Sequence, residues 1–158
     1  MYGQEQNSRE KIIEQYSQDV ERLLKYLPWL SRSSKDSVSS YYEGEGEAKE
    51  TLLKFPVYDS TLLEFVKVAE KTQLVSKNYP FVYSKHRITS HEQERILLRS
   101  AKIQDMNLFI GIISKYVLEG KRRPAAWTEA VSEQIFVTAL ECLRELFFNN
   151  KVDNSSAN

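Results

Sequence analysis

Histidine and cysteine are almost missing from this 158-residue sequence: His86, His91 and Cys142 are the whole supply. One cysteine cannot form an intrachain disulfide, and that sparing use points to a reducing, cytoplasmic setting. Two histidines five positions apart do not make a zinc helix. His91-Glu92-Gln93-Glu94-Arg95 starts the HExxH pattern, but Arg95 stands where the second imidazole belongs. No metal and no cofactor is therefore expected. Glycine is scarce as well, with five residues, and proline has four. That excludes collagen-like and low-complexity chains, and it leaves little backbone for a phosphate cradle. GxGxxG, the P-loop and the GxSxG elbow are all absent. No apolar run approaches the roughly 18–20 residues of a membrane span. Residues 1–10 are polar and lack the form of a signal peptide, so no membrane association is expected. Cys142 lies among Leu140, Leu143, Glu141 and Glu145, a setting that raises a thiol pKa. The enzyme reading is disfavoured on these grounds, and no catalytic residue is nominated.

The remaining composition is that of a folded domain, 41% hydrophobic and 28% charged. The charges cancel over the whole chain but not along it. Residues 85–123 hold nine Lys or Arg against four Asp or Glu, a local balance of +5. Such a stretch is either a solvated face or a surface for anions.

Apolar spacing of three and four predicts an all-α fold, a single-domain bundle of five or six helices. The first helix is expected over 9–27, with Ile12, Ile13, Tyr16, Val20, Leu23, Leu24 and Leu27 on one face and Pro28 as its end. Residues 31–46 carry six serines and two glycines and read as a flexible loop. A helical core over 48–148 follows. It opens with a short helix over 48–55, then one capped by Asp59 and ending near Leu74, with a break at Asn78-Tyr79-Pro80. Thr89 and Glu92 have capping-box spacing ahead of a helix to about Lys102, whose buried side would be Ile96, Leu97 and Ala101. Asp105 caps a helix over 106–119, and Gly120 would end it in the left-handed conformation. The last helix, 128–148, carries the stripe Val131, Ile135, Phe136, Ala139, Leu140, Leu143, Leu146 and Phe147. Residues 149–158 read as a disordered tail.

Three sets of residues are candidates for binding. Lys121, Arg122 and Arg123, with Arg87, Arg95 and Arg99, form a basic surface suited to nucleic acid or another polyanion. Trp127 is close enough to stack. The bland alternative is that basic residues after a helix offset its dipole. His86, Arg87, Lys115, Tyr116 and Trp127 could converge on a small ligand. Aromatic residues at 55–58 and 79–83 suit either a pocket or the plugged end of a bundle.

Three segments carry a resemblance: Phe55-Pro-Val-Tyr-Asp-Ser-Thr-Leu-Leu-Glu-Phe-Val; Asn78-Tyr79 with Tyr83-Ser-Lys-His-Arg-Ile-Thr; and Ile112-Ile-Ser-Lys-Tyr-Val-Leu-Glu-Gly-Lys-Arg-Arg with Trp127-Thr-Glu-Ala-Val. Over about residues 50–148 the chain resembles a family of small all-helical bacterial proteins with no established activity. The resemblance implies a bacterial, cytoplasmic, all-α protein and supplies no site residues. The function expected first is a non-enzymatic interaction module, self-associating as a homodimer or binding a protein partner. Nucleic-acid binding and a small-ligand or enzyme site around His86 and Trp127 stand as alternatives.

Overall fold

The computed structural model describes the backbone of residues 2–33, 39–40, 57–58 and 60–149, and the side chains of 8–33 and 60–148. The chain is all-α. Eight α-helices lie among the described residues: α1 Tyr2–Leu24, α2 Leu27–Ser33, α3 Ser60–Glu70, α4 Tyr79–His86, α5 His91–Ser100, α6 Met106–Glu119, α7 Ala125–Ser132 and α8 Ile135–Arg144. A 3-10 turn at Ile103–Asp105 leads into α6, and a π-helical turn at Glu145–Asn149 follows α8. The only extended pairing described is a two-residue antiparallel ladder, Ser39 with Tyr58 and Ser40 with Val57.

The helix count exceeds expectation because two apolar stripes run across breaks in the backbone. The first helix stops at Leu24 rather than Leu27. Lys25 and Tyr26 form a turn, and the chain re-enters a helix with Pro28 in its first turn, where the missing N–H costs nothing. Ser31–Ser33 therefore belong to α2 and not to a loop. The stripe of the last helix likewise spans α7 and α8. Gln134 adopts φ 62 between them, and Gln134 N–H closes the turn on Val131 O at 3.0 Å. Val131 and Ile135 keep their spacing of four through this corner, so the pattern hides the break. Residues 34–38 and 41–46, the helix expected over 48–55, Asp59 and residues 150–158 lie outside the described residues.

Tyr79-Pro80 is a beginning rather than a break: Pro80 occupies the first turn of α4, which includes Phe81, Val82 and Tyr83. The helix expected to run to Leu74 ends at Glu70. Asp105 caps nothing in α6. Its carboxylate accepts from Lys102 N at 2.9 Å and closes the preceding 3-10 turn.

One continuous set of buried side chains runs from Val20 on α1 to Phe147 after α8. Its aromatic spine meets edge to face. Phe65 lies 5.5 Å from Tyr26 and 5.0 Å from Phe136, and Phe136 lies 6.3 Å from Tyr116. Helix α6 is the axis, packed against α3, α4, α5, α7 and α8. Val131, Ile135, Phe136, Ala139, Leu140, Leu143 and Phe147 are all buried in this core, so the stripe of the last helix is covered by the chain itself. Burial of each such side chain contributes about 1.5–3 kcal/mol.

Two glycines set close approaches. A Cβ on Gly111 would come within 2.7 Å of Val82, so the glycine lets α4 lie against α6. Gly120 is right-handed, φ −63, and so is not the left-handed terminator expected. A Cβ there would sit 2.0 Å from the Trp127 indole nitrogen. Space, not conformation, calls for this glycine.

Candidate functional site

Helix α5 begins one residue later than the sequence suggests. Ser90, not Thr89, is the N-cap. Its Oγ accepts from Gln93 N at 3.1 Å, while Gln93 Oε1 accepts from Thr89 N at 2.7 Å. The expected Thr89–Glu92 box is replaced by a Ser90 cap, with Gln93 reaching back to Thr89. Glu94 and Leu98 turn inward, four residues apart, whereas Ile96 is exposed and Leu97 and Ala101 are only partly covered.

Glu94, 2% exposed, is the centre of the site. Tyr116 on α6 donates to its Oε1 at 2.6 Å and lies 2.9 Å from Oε2. Tyr83 on α4 donates to Oε2 at 2.5 Å. His91 Nδ1 lies 3.0 Å from Oε1 and 3.0 Å from the Tyr116 hydroxyl. Lys115 Nζ is 3.9 Å from Oε2 and sits over the rings of Tyr116 and Tyr83, 4.7 and 5.1 Å from their centroids. On the far side of the imidazole, His91 Nε2 faces Glu129 Oε2 of α7 at 3.4 Å, and Glu129 Oε1 faces Arg123 at 3.6 Å. Four helices thus meet through one polar chain.

A buried carboxylate costs several kcal/mol in lost hydration, and hydrogen bonds to an ionised acceptor return about 1.5–3 kcal/mol each. The two phenols donate to Glu94 and offset that cost, with the His91 imidazole beside them. Burial, followed by the charge and hydrogen bond of Glu94, pushes the Tyr83 hydroxyl far above the usual phenol range. Tyr116 moves the same way, through burial and then its hydrogen bond to Glu94. Both phenols therefore stay protonated and act as donors, not bases.

The cluster forms the wall of an open cavity of about 460 Å³, to which Tyr83, Ile88, Thr89, Ser90, His91, Glu94 and Lys115 contribute. A second cavity of about 360 Å³ lies between α4, α6 and α1, lined by Tyr16, Tyr79, Phe81, Val82, Ile110 and Gly111 among others.

Of the nominated residues, Lys115 and Tyr116 come together at Glu94, and Arg123 reaches the same network through Glu129. The others go elsewhere. His86 is exposed and lines the second cavity. Arg87 is the exposed, left-handed C-cap of α4, φ 52. Trp127 donates its indole N–H to Val117 O at 3.1 Å, closing the turn above Gly120. Lys121 pairs with Glu70 at 2.5 Å, and burial, followed by the charge of Glu119, raises the Tyr79 hydroxyl pKa. Arg95 binds the carbonyl and carboxylate of Glu133, at 2.8 and 3.3 Å. Three of the six nominated basic residues, Lys121, Arg123 and Arg95, are thus met by acids. Cys142 is half-buried, and burial above all raises its thiol pKa.

Tyr83 belongs to the aromatic set at 79–83 that suited a pocket, and it does line this one, whereas Glu94, His91 and Glu129 were not legible as site residues. A glutamate three after one histidine and four before a leucine gives no sign of burial while Ile96 and Leu97 compete for the inner face. Among the described residues no three His, Cys, Asp or Glu side chains gather as a metal site. Nor, among those residues, is any helix long and apolar enough to cross a membrane. Comparison of the chain with protein-family models, curated proteins and solved structures finds no match.

Proposed function

We propose that this chain is a small-molecule-binding helical domain whose site is the cavity over Glu94, and that it works by binding rather than by turnover. One observation carries the reading: a buried carboxylate, bonded by two phenols and an imidazole, sits in the wall of an open cavity of about 460 Å³. A polar network that served only to join helices would have no need of a void beside it. The volume and the mix of a few fixed polar groups with apolar wall are those of a ligand pocket. The phenols are fixed as donors and Glu94 as their acceptor, which favours a rigid recognition surface over a proton-transfer centre. The same proposal puts the protein in a bacterial cytoplasm, on the strength of its single cysteine and of the resemblance over about residues 50–148.

The test is a small-metabolite library screened by thermal shift and by amide NMR. Ligands that raise Tm and move the amides of residues 88–94 and 115 support the reading. A library of several hundred polar metabolites that leaves those amides unmoved removes it.

A second reading, self-association, is favoured by Phe81. This side chain is 66% exposed beside the cavity lined by Tyr16, Ile110 and Gly111. Phe81 of one copy would enter that cavity on another, an isologous contact. Sedimentation velocity over a concentration series tests it: a dimer in the parent chain and a monomer in Phe81→Lys support it, and a monomer throughout rejects it.

A further inference from the structure

Resting on the reading of the Glu94 cavity as a ligand site, we propose that its ligand is a small organic anion, a carboxylate or phosphate ester whose oxygens accept from Lys115 and whose body lies against Ile88 and the Tyr83 ring. The argument is a count of donors and acceptors. Two carboxylate oxygens offer about four lone-pair positions. On Glu94, Oε1 faces Tyr116 and His91, and Oε2 faces Tyr83 and Tyr116. Tyr116 has a single hydrogen for both oxygens, so at most three of those positions are met from within the protein, but at 2% exposure the carboxylate has almost no surface left to offer a ligand. The phenolic hydrogens are committed to it in turn. An incoming amine would find that acceptor almost wholly buried.

Lys115 is in the opposite condition. Its ammonium carries three donors. Among the described residues its partners are one Glu94 oxygen at 3.9 Å and the two ring faces. The oxygen is beyond hydrogen-bond length, and rings attract a cation without taking its N–H groups as an oxygen does. The side chain is 25% exposed and lines the cavity. Ser90 adds a hydroxyl whose own donation, to Gln93 Oε1 at 3.5 Å, is long. The cavity therefore presents donors, and its complement is an acceptor.

Charge agrees with that count. Glu94 faces Lys115 and Glu129 faces Arg123, and although Glu119 adds a further negative charge felt at both phenols, the positive charge on the cavity wall is that of Lys115. The neutral phenols keep further negative charge away from Lys115. Size then favours an organic ligand: a bare oxyanion occupies a small part of about 460 Å³, and Ile88 with the Tyr83 ring supplies an apolar wall for the remainder.

Four probes that share one apolar body separate the possibilities: benzoate, phenyl phosphate, benzylamine and benzyl alcohol. Each is titrated into the full chain in a buffer free of phosphate and carboxylates, followed by amide NMR. Saturable movement of residues 88–94 and 115 with benzoate or phenyl phosphate, and none with benzylamine, supports the proposal. Which of the two anions binds more tightly distinguishes a carboxylate from a phosphate source. Lys115→Met is expected to weaken that binding about 10- to 100-fold, and Lys115→Arg to retain most of it. The arginine variant keeps the test open should the methionine variant not fold. Binding of benzylamine or benzyl alcohol at least as tight as the anions overturns the proposal and leaves the ligand-site reading in place. Silence of all four probes, with library compounds still entering the cavity, does the same. Silence of both the probes and the library removes both.

Discussion

The Tyr116 hydroxyl spans both oxygens of Glu94, at 2.6 and 2.9 Å, and so ties the axis helix α6 to α5 at a fully buried point. Removing that hydroxyl leaves a buried carboxylate short of a donor. Tyr116→Phe is expected to cost about 1–3 kcal/mol in urea unfolding. Tyr83→Phe is expected to cost less, because that hydroxyl bonds only Oε2. The double variant should depart from the sum of the two, since both phenols serve one acceptor.

Glu94 itself is the harsher test. Glu94→Leu strands Lys115, both phenols and the inner nitrogen of His91. A loss of about 3–5 kcal/mol is expected, the usual cost of removing one partner from a buried charged pair. Adding Lys115→Met removes the orphaned charge, so the double variant should unfold at higher urea than Glu94→Leu alone.

Alkaline pH offers a check without mutation. Tyr83 and Tyr116 hold their protons more tightly in the fold than in the unfolded chain, through burial and Glu94. Tyr26, hydrogen-bonded to Glu64 at 2.6 Å, is pushed up to about 12. A group raised in the fold contributes its full share below its unfolded pKa, about 10 for tyrosine, and loses it as pH climbs toward the folded value. Stability should therefore fall above about pH 10. Phenolate absorbance from Tyr83 and Tyr116 should appear only with unfolding, and the Tyr83→Phe, Tyr116→Phe chain should show a flatter alkaline limb.

Gln134 gives a prediction of opposite sign. Its φ of 62 is costly for a residue with a Cβ, by about 1–2 kcal/mol, and glycine adopts it freely at an entropic cost of about 0.5–1 kcal/mol. Gln134→Gly is expected to leave Tm unchanged or raise it slightly, by no more than about 1 kcal/mol of stability. Gln134→Val, β-branched at the same corner, should lower Tm clearly.

Neutralising the basic turn should act on the fold. Lys121 faces Glu70 and Arg123 faces Glu129, both at the surface. Replacing the two by glutamine is expected to cost no more than about 1 kcal/mol and to make stability less sensitive to salt. A large loss of affinity for nucleic acid in that variant would instead restore the polyanion reading.

Periodicity carried most of the fold. Apolar positions at 106–117 and 131–147 identify the core helices because burial of one face is what such spacing produces. Periodicity could not reveal the corners at Lys25-Tyr26 and Glu133-Gln134, since a two-residue turn preserves the spacing on either side. The site was legible in part. Lys115 and Tyr116 stood out by type, but Glu94 is held inward by Tyr83 and Tyr116, partners on other helices that helical spacing along α5 does not reveal.

The place of Trp127 over Gly120 has a consequence for how this sequence can vary. No side chain fits at 120 while an indole lies above it, and no indole fits at 127 once 120 gains a methyl. The two positions form a single unit of inheritance. In any lineage or designed library built on this backbone they are expected to change as a pair, a larger residue at 120 accompanying a smaller ring or none at 127.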